Sequence, residues 1–280
     1  MSSYRMVYEQ AIETLTSVQV PDAKVDAWYL FEHSTGFSRA SYFLKAEEEM
    51  PLEQANAFQS FIEKRMQRVP VQYIIGSQEF MGFSFLVSKA TLIPRQDTEV
   101  LVEEVYHYAN GKKVLDLCTG TGCIIISLAK LCELECAVGT DISVEAIETA
   151  KENAKQLEAK VNFYCGDLFL ALPKEETFDI IVSNPPYIPT TVIDTLMPEV
   201  REYEPMTALD GDVDGLKFYR EIIQNATKFL TSRGQLFFEI GCEQAKDVTA
   251  LLLEHGFEEI RVVKDYAGLD RVVCARRSEK

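Results

Sequence analysis

Basic residues are scarce in this 280-residue chain: 28 Lys and Arg stand against 44 Asp and Glu, a formal charge of −16. So acidic a surface repels phosphate backbones and lacks the counterion-release contribution behind general nucleic-acid binding. No apolar run approaches the ~20 residues that cross a bilayer. The opening stretch MSSYRMVYEQ lacks a signal-peptide apolar core, so neither a membrane segment nor a secretory leader is expected. Histidine occurs only at His33, His107 and His255, too scattered for a histidine metal site. The seven cysteines are odd in number and include no C-x-x-C, which argues against a disulfide framework and a zinc knuckle. A reducing cytoplasm is the expected setting.

What is present is an ordinary globular composition, 47% apolar and 26% charged, long enough for one large domain with a small appendage. Residues 1–72 read as helical. Ala11, Leu15 and Val18 recur at helical spacing, as do Phe58, Ile62 and Met66, and Pro21 and Pro51 mark breaks. This block either packs and solubilises or grips a macromolecular partner. Residues 73–95 read as a linker built on a β-hairpin, with Ser77–Phe80 and Phe83–Val87 flanking Met81-Gly82. Residues 96–280 form the third part. After a helix opened by Asp97-Thr98-Glu99, short apolar strands alternate with amphipathic helices near residues 122–131, 144–156, 216–230 and 243–255. Strands are expected at 114–117, 136–140, 161–164, 180–183, 235–240, 259–263 and 271–275. The fold class is therefore α/β, a seven-stranded, mostly parallel, Rossmann-like sheet with helices on both faces. Only Asp265–Asp270 separates the last two strands, so one of them is antiparallel.

Four segments at strand ends carry chemical character. The first, Asp116-Leu-Cys118-Thr119-Gly120-Thr121-Gly122, joins the first sheet strand to a helix. Its glycines let a ligand approach the backbone, and the helix N-terminus favours an anionic group. A dinucleotide fingerprint would place Gly at position 125, where the chain has Ile125. Asp116, ahead of the glycines, suits the cationic amino group of S-adenosylmethionine (SAM). Glycines that merely turn the chain are the bland alternative. The second is Asp141, 19 residues beyond Gly122, placed either to accept both hydroxyls of a ribose or to cap a helix with Ser143. The third, Gly166-Asp167-Leu168, could take an adenine through Asp167 and Leu168, or be a plain turn. The fourth, Asn184-Pro185-Pro186-Tyr187, is the most specific. Two prolines stiffen the loop, so Asn184 and the Pro185 carbonyl form a rigid pair of acceptors for a planar –NH2, with Tyr187 on its face. Arg95, Thr98 and Glu99 read as caps of the following helix at the border of the cofactor pocket. Residues 203–211 form a long loop, a lid or a plain connection.

Asn-Pro-Pro-Tyr on such a sheet resembles methyltransferases that act on planar amino or amide nitrogens. Three upstream stretches, Pro70-Val-Gln-Tyr-Ile-Ile-Gly76, Glu79-Phe-Met-Gly82 and Leu92-Ile-Pro-Arg95-Gln-Asp-Thr-Glu99, resemble the bacterial release factor glutamine methyltransferase family (HemK/PrmC type). The resemblance spans practically the whole chain. It implies methyl transfer from SAM, leaving S-adenosylhomocysteine. The acceptor is the side-chain amide of the glutamine in the Gly-Gly-Gln motif of class 1 peptide chain release factors. The consequence is a tuned translation termination, by a cytoplasmic monomer without metal, nucleic-acid or membrane partners. Carried over by motif, the cofactor contacts are Asp116, Cys118–Gly122, Asp141, Asp167, Leu168 and Asn184. The substrate contacts are Asn184, Pro185, Pro186 and Tyr187, with Asn184 catalytic and residues 1–72 recognising the substrate. Many relatives carry Gly where this chain has Cys118, and an extended Cys118 is the expectation, since a positive φ would strain it.

Other readings place different demands on the chain. A ribosomal-protein glutamine methyltransferase shares the same loop. A nucleic-acid amino-methyltransferase conflicts with the −16 charge and the lack of a basic, aromatic-rich insert. A non-catalytic SAM-sensing module would bind without turnover, and an NAD oxidoreductase conflicts with Ile125.

Overall fold

A computed structural model describes residues 2–173 and 176–278. The chain divides into two compact units, Met1–Ser77 with Met197–Tyr203, and Gln78–Leu196 with Glu204–Lys280.

The first unit is helical: α1 (Tyr4–Ser17), α2 (Ala23–Thr35), α3 (Arg39–Lys45), α4 (Leu52–Met66) and the short α5 (Val71–Ile75). Local signals set their ends. The Ser3 hydroxyl accepts the Met6 N–H at the start of α1, and Gly36 closes α2 in the left-handed conformation. Leu15, Leu30, Phe31, Phe58 and Ile62 are wholly buried, and Phe31 meets Phe58 edge-on at 5.6 Å. Burying each such side chain stabilises the fold by roughly 2–3 kcal/mol. Residues 73–75, expected to lead into the hairpin, are instead helical, because Pro70 opens and Gly76 closes a single helical stretch.

The second unit begins with the hairpin, β1 (Ser77–Phe80) and β2 (Phe83–Leu86), whose Phe80 and Phe85 are buried in the unit's core. The main sheet holds β3 (Lys113–Leu117), β4 (Cys136–Asp141), β5 (Asn162–Cys165), β6 (Phe178–Ser183), β7 (Leu230–Glu239), β8 (Phe257–Lys264) and β9 (Asp270–Arg277). Their order is β5-β4-β3-β6-β7-β9-β8. The first five run parallel, and β9 enters antiparallel between β7 and β8. Helices α6 (Glu99–Ala109), α7 (Cys123–Leu131) and α8 (Val144–Gln156) cover one face. The short α9 (Thr190–Ile193) follows β6, the next helix, α10 (Pro198–Arg201), belongs to the first unit, and α11 (Lys217–Phe229) and α12 (Ala245–Glu254) cover the other face of the sheet. Strand residues alternate between the two cores: Val114 and Ile180 pack on one side, Leu115 and Ile181 on the other. No helix among the described residues is long and apolar enough to cross a membrane.

Candidate active site

Strand order reverses at β3. The chain runs outward through β4 and β5, then returns to lay β6 on the other side of β3. Loops leaving the two central strands diverge at such a point and open a crevice at the carboxyl edge of the sheet. Leu117 is in register with both Thr140 and Ser183, so β4, β3 and β6 end level. The Ser183 hydroxyl, donating to the Leu117 carbonyl at 2.7 Å, ties the two central ends together. A cavity of about 320 Å³ lies at this edge.

The loop after β3 forms one wall, with Cys118, Thr119, Gly120 and Thr121 facing the cavity. Thr119 N–H donates to Thr140 O, and Gly120 N–H to Asp141 Oδ2, both at 2.9 Å. Meeting these acceptors on the neighbouring strand end bends the loop through left-handed residues at 118, 120 and 122. Cys118 is thus not extended as expected; its φ is 60°. A left-handed L-residue costs roughly 1–2 kcal/mol, held here by the hydrogen bonds on either side. Gly120 stands in the wall with no described atom within 4 Å of where a Cβ would be. Gly122 plays a different part, since a Cβ there would lie 2.7 Å from Ile126 Cδ1. It lets α7 start close against its neighbours.

Two acids back this wall. Asp116 is wholly buried; its Oδ2 accepts the Thr119 hydroxyl at 2.5 Å, and its Oδ1 has no hydrogen-bond partner among the described residues. Burial pushes its pKa up to about 7, the nearby Asp141 charge adds to the rise, and the Thr119 hydrogen bond opposes it. Asp141 lines the cavity while its carboxylate accepts the Gly120 and Ser143 N–H groups. The helix cap proper is Ser143, whose hydroxyl accepts Ala146 N–H. Burial raises Asp141 as well, against those backbone donors. Asp167 and Leu168 complete this end of the cavity, beside the exposed Ile142. Leu168 is left-handed, with φ 44°.

Across the cavity stand Asn184 and Pro186; Pro185 is buried in the loop between them. Asn184 Nδ2 donates to the Thr98 hydroxyl at 3.3 Å, leaving Oδ1 for another donor. The Tyr187 hydroxyl donates to Glu239 Oε1 at 3.3 Å, and its carbonyl accepts Gln244 Nε2 at 3.0 Å. Burial and the Glu239 charge both hold the Tyr187 phenol protonated. A third wall comes from Met206, Thr207, Ala208 and Asp210, in the loop after Tyr203. Ile188 N–H donates to Leu209 O, and Gly211 N–H to Ile188 O, so this loop is fastened to the chain that follows Tyr187.

Of the three residues expected to cap α6, Thr98 stands at the N-cap position but makes no side-chain cap bond, and Arg95 and Thr98 border the cavity as expected while Glu99 does not. Arg95 pairs with the buried Glu204 at 2.5 Å, Thr98 receives Asn184, and Glu99 Oε1 accepts the hairpin's Met81 N–H at 2.6 Å. Sequence reasoning passed over Asn153, wholly buried on α8. Its amide joins Leu86 N and O to Thr121 O at 2.7, 3.1 and 3.0 Å, so it braces the β3 loop from behind. It also passed over Glu239 and Gln244 beneath Tyr187. A polar residue ending an apolar strand, Phe237-Phe238-Glu239, was the available signal.

Of the residues expected to hold a cofactor, Cys118–Thr121, Asp141, Asp167, Leu168 and Asn184 line the cavity, whereas Asp116 and Gly122 lie behind its wall. That arrangement suits an elongated ligand with a cationic end toward Asp116, hydroxyls near Asp141, and a flat ring between Ile142 and Leu168. A carboxyl oxygen buried without a partner, and a wall left bare at Gly120, are the features that fit SAM. Among the described residues, no group of three or more His, Cys, Asp or Glu could hold a metal ion.

Comparison with known proteins agrees with these observations. Residues 7–76 match the family model of the PrmC N-terminal domain, and residues 109–265 match a methyltransferase domain. The chain is 42% identical over 276 residues to the release factor glutamine methyltransferase of Agrobacterium fabrum, covering 95% of each. It superposes on a methyltransferase from Pyrococcus furiosus with a TM-score of 0.56 at 16% identity, over 77% of this chain and 99% of that one. The T. thermophilus 16S rRNA N2 G1207 methyltransferase, solved with AdoMet and guanosine, gives 0.52 at 20% identity over 72% of this chain and 49% of that one. At those identities the two structures speak to the fold.

Proposed function

The chain belongs to the release factor glutamine methyltransferase family, and on that premise we propose that it methylates the side-chain amide nitrogen of the Gly-Gly-Gln glutamine in class 1 peptide chain release factors. The observation that carries the reading is the cavity itself: the Cys118–Thr121 wall and Asn184 face the same space at the strand switch point.

SAM, when bound, supplies a methyl group made electrophilic by its sulfonium. Asp116 contributes negative charge behind the wall for the cationic amino group. Asp141 offers its carboxylate to the ribose, Gly120 lets the ligand lie against the backbone, and Asp167 and Leu168 take the adenine. On the other side, Asn184 Oδ1 and the Pro185 carbonyl accept the two hydrogens of the target carboxamide. Pro185 and Pro186 have fixed φ, so these acceptors hold their positions. Tyr187 packs on the flat face of the amide.

An amide nitrogen is a poor nucleophile because its lone pair is shared with the carbonyl. Two fixed acceptors turn that nitrogen toward the methyl carbon and stabilise the positive charge that grows on it. Orientation then supplies most of the rate, and no side chain has to act as a base. The methylated nitrogen, once cationic, is acidic and releases its proton to water. The helical unit is the proposed grip on the release factor, and the enzyme works as a monomer in the cytoplasm.

The test is mass spectrometry of release factor co-expressed with the wild-type chain or with Asn184→Ala. The Gly-Gly-Gln peptide should gain one methylene with the wild type and stay unmodified with the variant. Modification of ribosomal protein alone, or normal turnover by Asn184→Ala with SAM bound, would refute the reading.

A further inference from the structure

A fourth wall of the cavity comes from the chain that follows the hairpin, where residues 90–92, 94 and 95 face it. This strap and the β3 loop are distant in sequence, yet both are bonded to α8. Two side chains of α8, Thr149 and Asn153, stand four residues apart and so share one side of the helix. We infer that Asn153 and Thr149 are positioning residues for the cofactor, holding the strap and the β3 loop at the one spacing that SAM fits. They act on affinity for the methyl donor, while the target amide is left to the Asn184 loop. The inference rests on the SAM reading given above.

Asn153 is wholly buried, and a carboxamide there is costly unless its polar atoms are bonded. Its Oδ1 accepts the Leu86 N–H at 2.7 Å, and its two Nδ2 protons go to Leu86 O at 3.1 Å and Thr121 O at 3.0 Å. The hairpin is a two-stranded sheet, so one edge of β2 has no strand beside it among the described residues. The amide meets Leu86 there as a strand would. Turned by half, it would set –NH2 against the Leu86 N–H and an oxygen against two carbonyls, so its partners admit one orientation. Both pinned segments lead into the cavity: Thr121 lines it directly, and Leu86 enters the strap.

Thr149 makes the second tie. Its hydroxyl gives its proton to Glu145 O at 2.9 Å and therefore receives the Ser88 hydroxyl, at 3.2 Å. Ser88 in turn shapes the strap: its hydroxyl accepts the Ala90 N–H at 3.3 Å, and its carbonyl accepts the Thr91 N–H at 3.1 Å. Ala90 and Thr91 both line the cavity. Between the two ties stands Ala150, whose Cβ is 3.3 Å from where a Cβ on Gly122 would be, so the β3 loop rests directly on α8. An aliphatic side chain at position 153 would leave three backbone groups without these partners; a bonded amide selects a single arrangement of the two walls. A ligand touching both walls binds more tightly when they are already ordered, and by linkage its binding must strengthen the ties.

The experiment uses the full chain with Thr149→Val, Thr149→Ser and Asn153→Asp. Titration calorimetry with SAM alone should show Thr149→Val binding about three- to tenfold more weakly, the effect of one lost hydrogen bond, and Thr149→Ser within about twofold of wild type. Asn153→Asp keeps an acceptor for the Leu86 N–H but loses the donors to Thr121 and Leu86, and should bind at least about tenfold more weakly. In turnover with purified release factor, KM for SAM should rise by the same factors, while kcat at saturating SAM stays within about twofold. A merely structural role would do the reverse, lowering the active fraction and hence kcat while KM stayed put. Amide exchange gives a readout without turnover: the Leu86 N–H should exchange more slowly when SAM is added to wild type, and Asn153→Asp should abolish that response. Wild-type SAM affinity in Thr149→Val and Asn153→Asp, a fall in kcat without a rise in KM, or a Leu86 exchange rate in wild type that ignores SAM would overturn the inference. Should Asn153→Asp fail to fold, the two Thr149 variants and the wild-type exchange decide it. A wild-type chain that binds no SAM would overturn the proposed function as well, whereas normal wild-type binding with unaltered variants overturns the inference alone.

Discussion

Asp116→Asn tests the account of the cofactor wall on the ligand-free protein. The side chain is wholly buried, one carboxyl oxygen lacks a partner among the described residues, and the pKa is pushed from 3.8 to about 7. Ionising the carboxyl in the folded chain therefore costs about 4 kcal/mol more than in the unfolded one. The sign follows from the raised value. The stability associated with this group is fully present below about pH 4 and is lost as pH rises through about 7. Asparagine keeps the acceptor for Thr119 but does not titrate. Its buried –NH2 adds a constant penalty of roughly 1–3 kcal/mol that pH does not alter. The stability difference between variant and wild type should then move in the variant's favour by about 4 kcal/mol between pH 4 and 8. Urea unfolding of both cofactor-free proteins at half-unit pH intervals measures it. Other groups titrate in both proteins and cancel to first order, Asp141 being the neighbour most directly coupled. A difference that stays constant from pH 4 to 8 would show that Asp116 carries no unusual burden, and the electrostatic argument for a cationic ligand behind this wall would fail.

Two other outcomes follow from neighbouring features. Burial lifts Glu239 to about 7, opposed by Thr98, Arg271 and Tyr187 and aided by Asp97. Because the ionised carboxylate is the stronger acceptor for the Tyr187 hydroxyl that anchors the Asn184–Tyr187 loop, kcat should rise with pH through about 7 and level off, and Glu239→Gln should remove that limb; a wild-type rate that is flat from pH 6 to 8.5 contradicts this. Cys118→Gly should stabilise the chain by about 0.5–1 kcal/mol, the relief of the left-handed backbone less the entropy glycine gains when unfolded. Denaturant midpoints at one pH decide it, and a destabilised variant would mean that the cysteine side chain contributes more than its backbone costs.

The fold was legible because its signals are local and periodic. Strand residues such as Val114 and Ile181 sit in apolar runs buried on both faces, and the short Asp265–Asp270 connection disclosed the antiparallel finish. Residues 73–75 misled because Tyr73, Ile74 and Ile75 favour strands, while Pro70 and Gly76 impose a helix on so short a span. Cys118 misled for a related reason. Its φ is set by acceptors on β4, Thr140 O and Asp141 Oδ2, that lie 21 or more residues away in sequence and beside it only in the folded sheet. The motif residues themselves could be read from chemistry and order along the chain. Asn153 and Glu239 could not, since each acts on a loop it meets only through tertiary packing, and Thr98 was placed at the pocket's border but not as the partner of Asn184.

That division has a physical basis. The residues that would touch ligand lie on loops after strands, where turn chemistry and order along the chain expose them. The residues that hold those loops lie inside regular elements, where a single polar side chain among apolar ones looks like noise. Glu239 on β7 is such a case, whereas Asp116 on β3 was marked by the glycines that follow it; each is a buried acid raised to about 7, standing behind one of the two loops that border the cavity. Each imposes a cost on the ligand-free fold at neutral pH. Asp116 recovers that cost when a cation binds, because opposite charge favours its ionised form. Glu239 has no such expected ligand, and what it gains is internal, the hydroxyl of Tyr187. Removing charge at Asp116 should therefore weaken binding of a cationic cofactor and stabilise the empty protein as pH rises. Removing it at Glu239 should leave cofactor binding in place and slow the transfer, a contrast that titration calorimetry and single-turnover rates on the two asparagine and glutamine variants would expose.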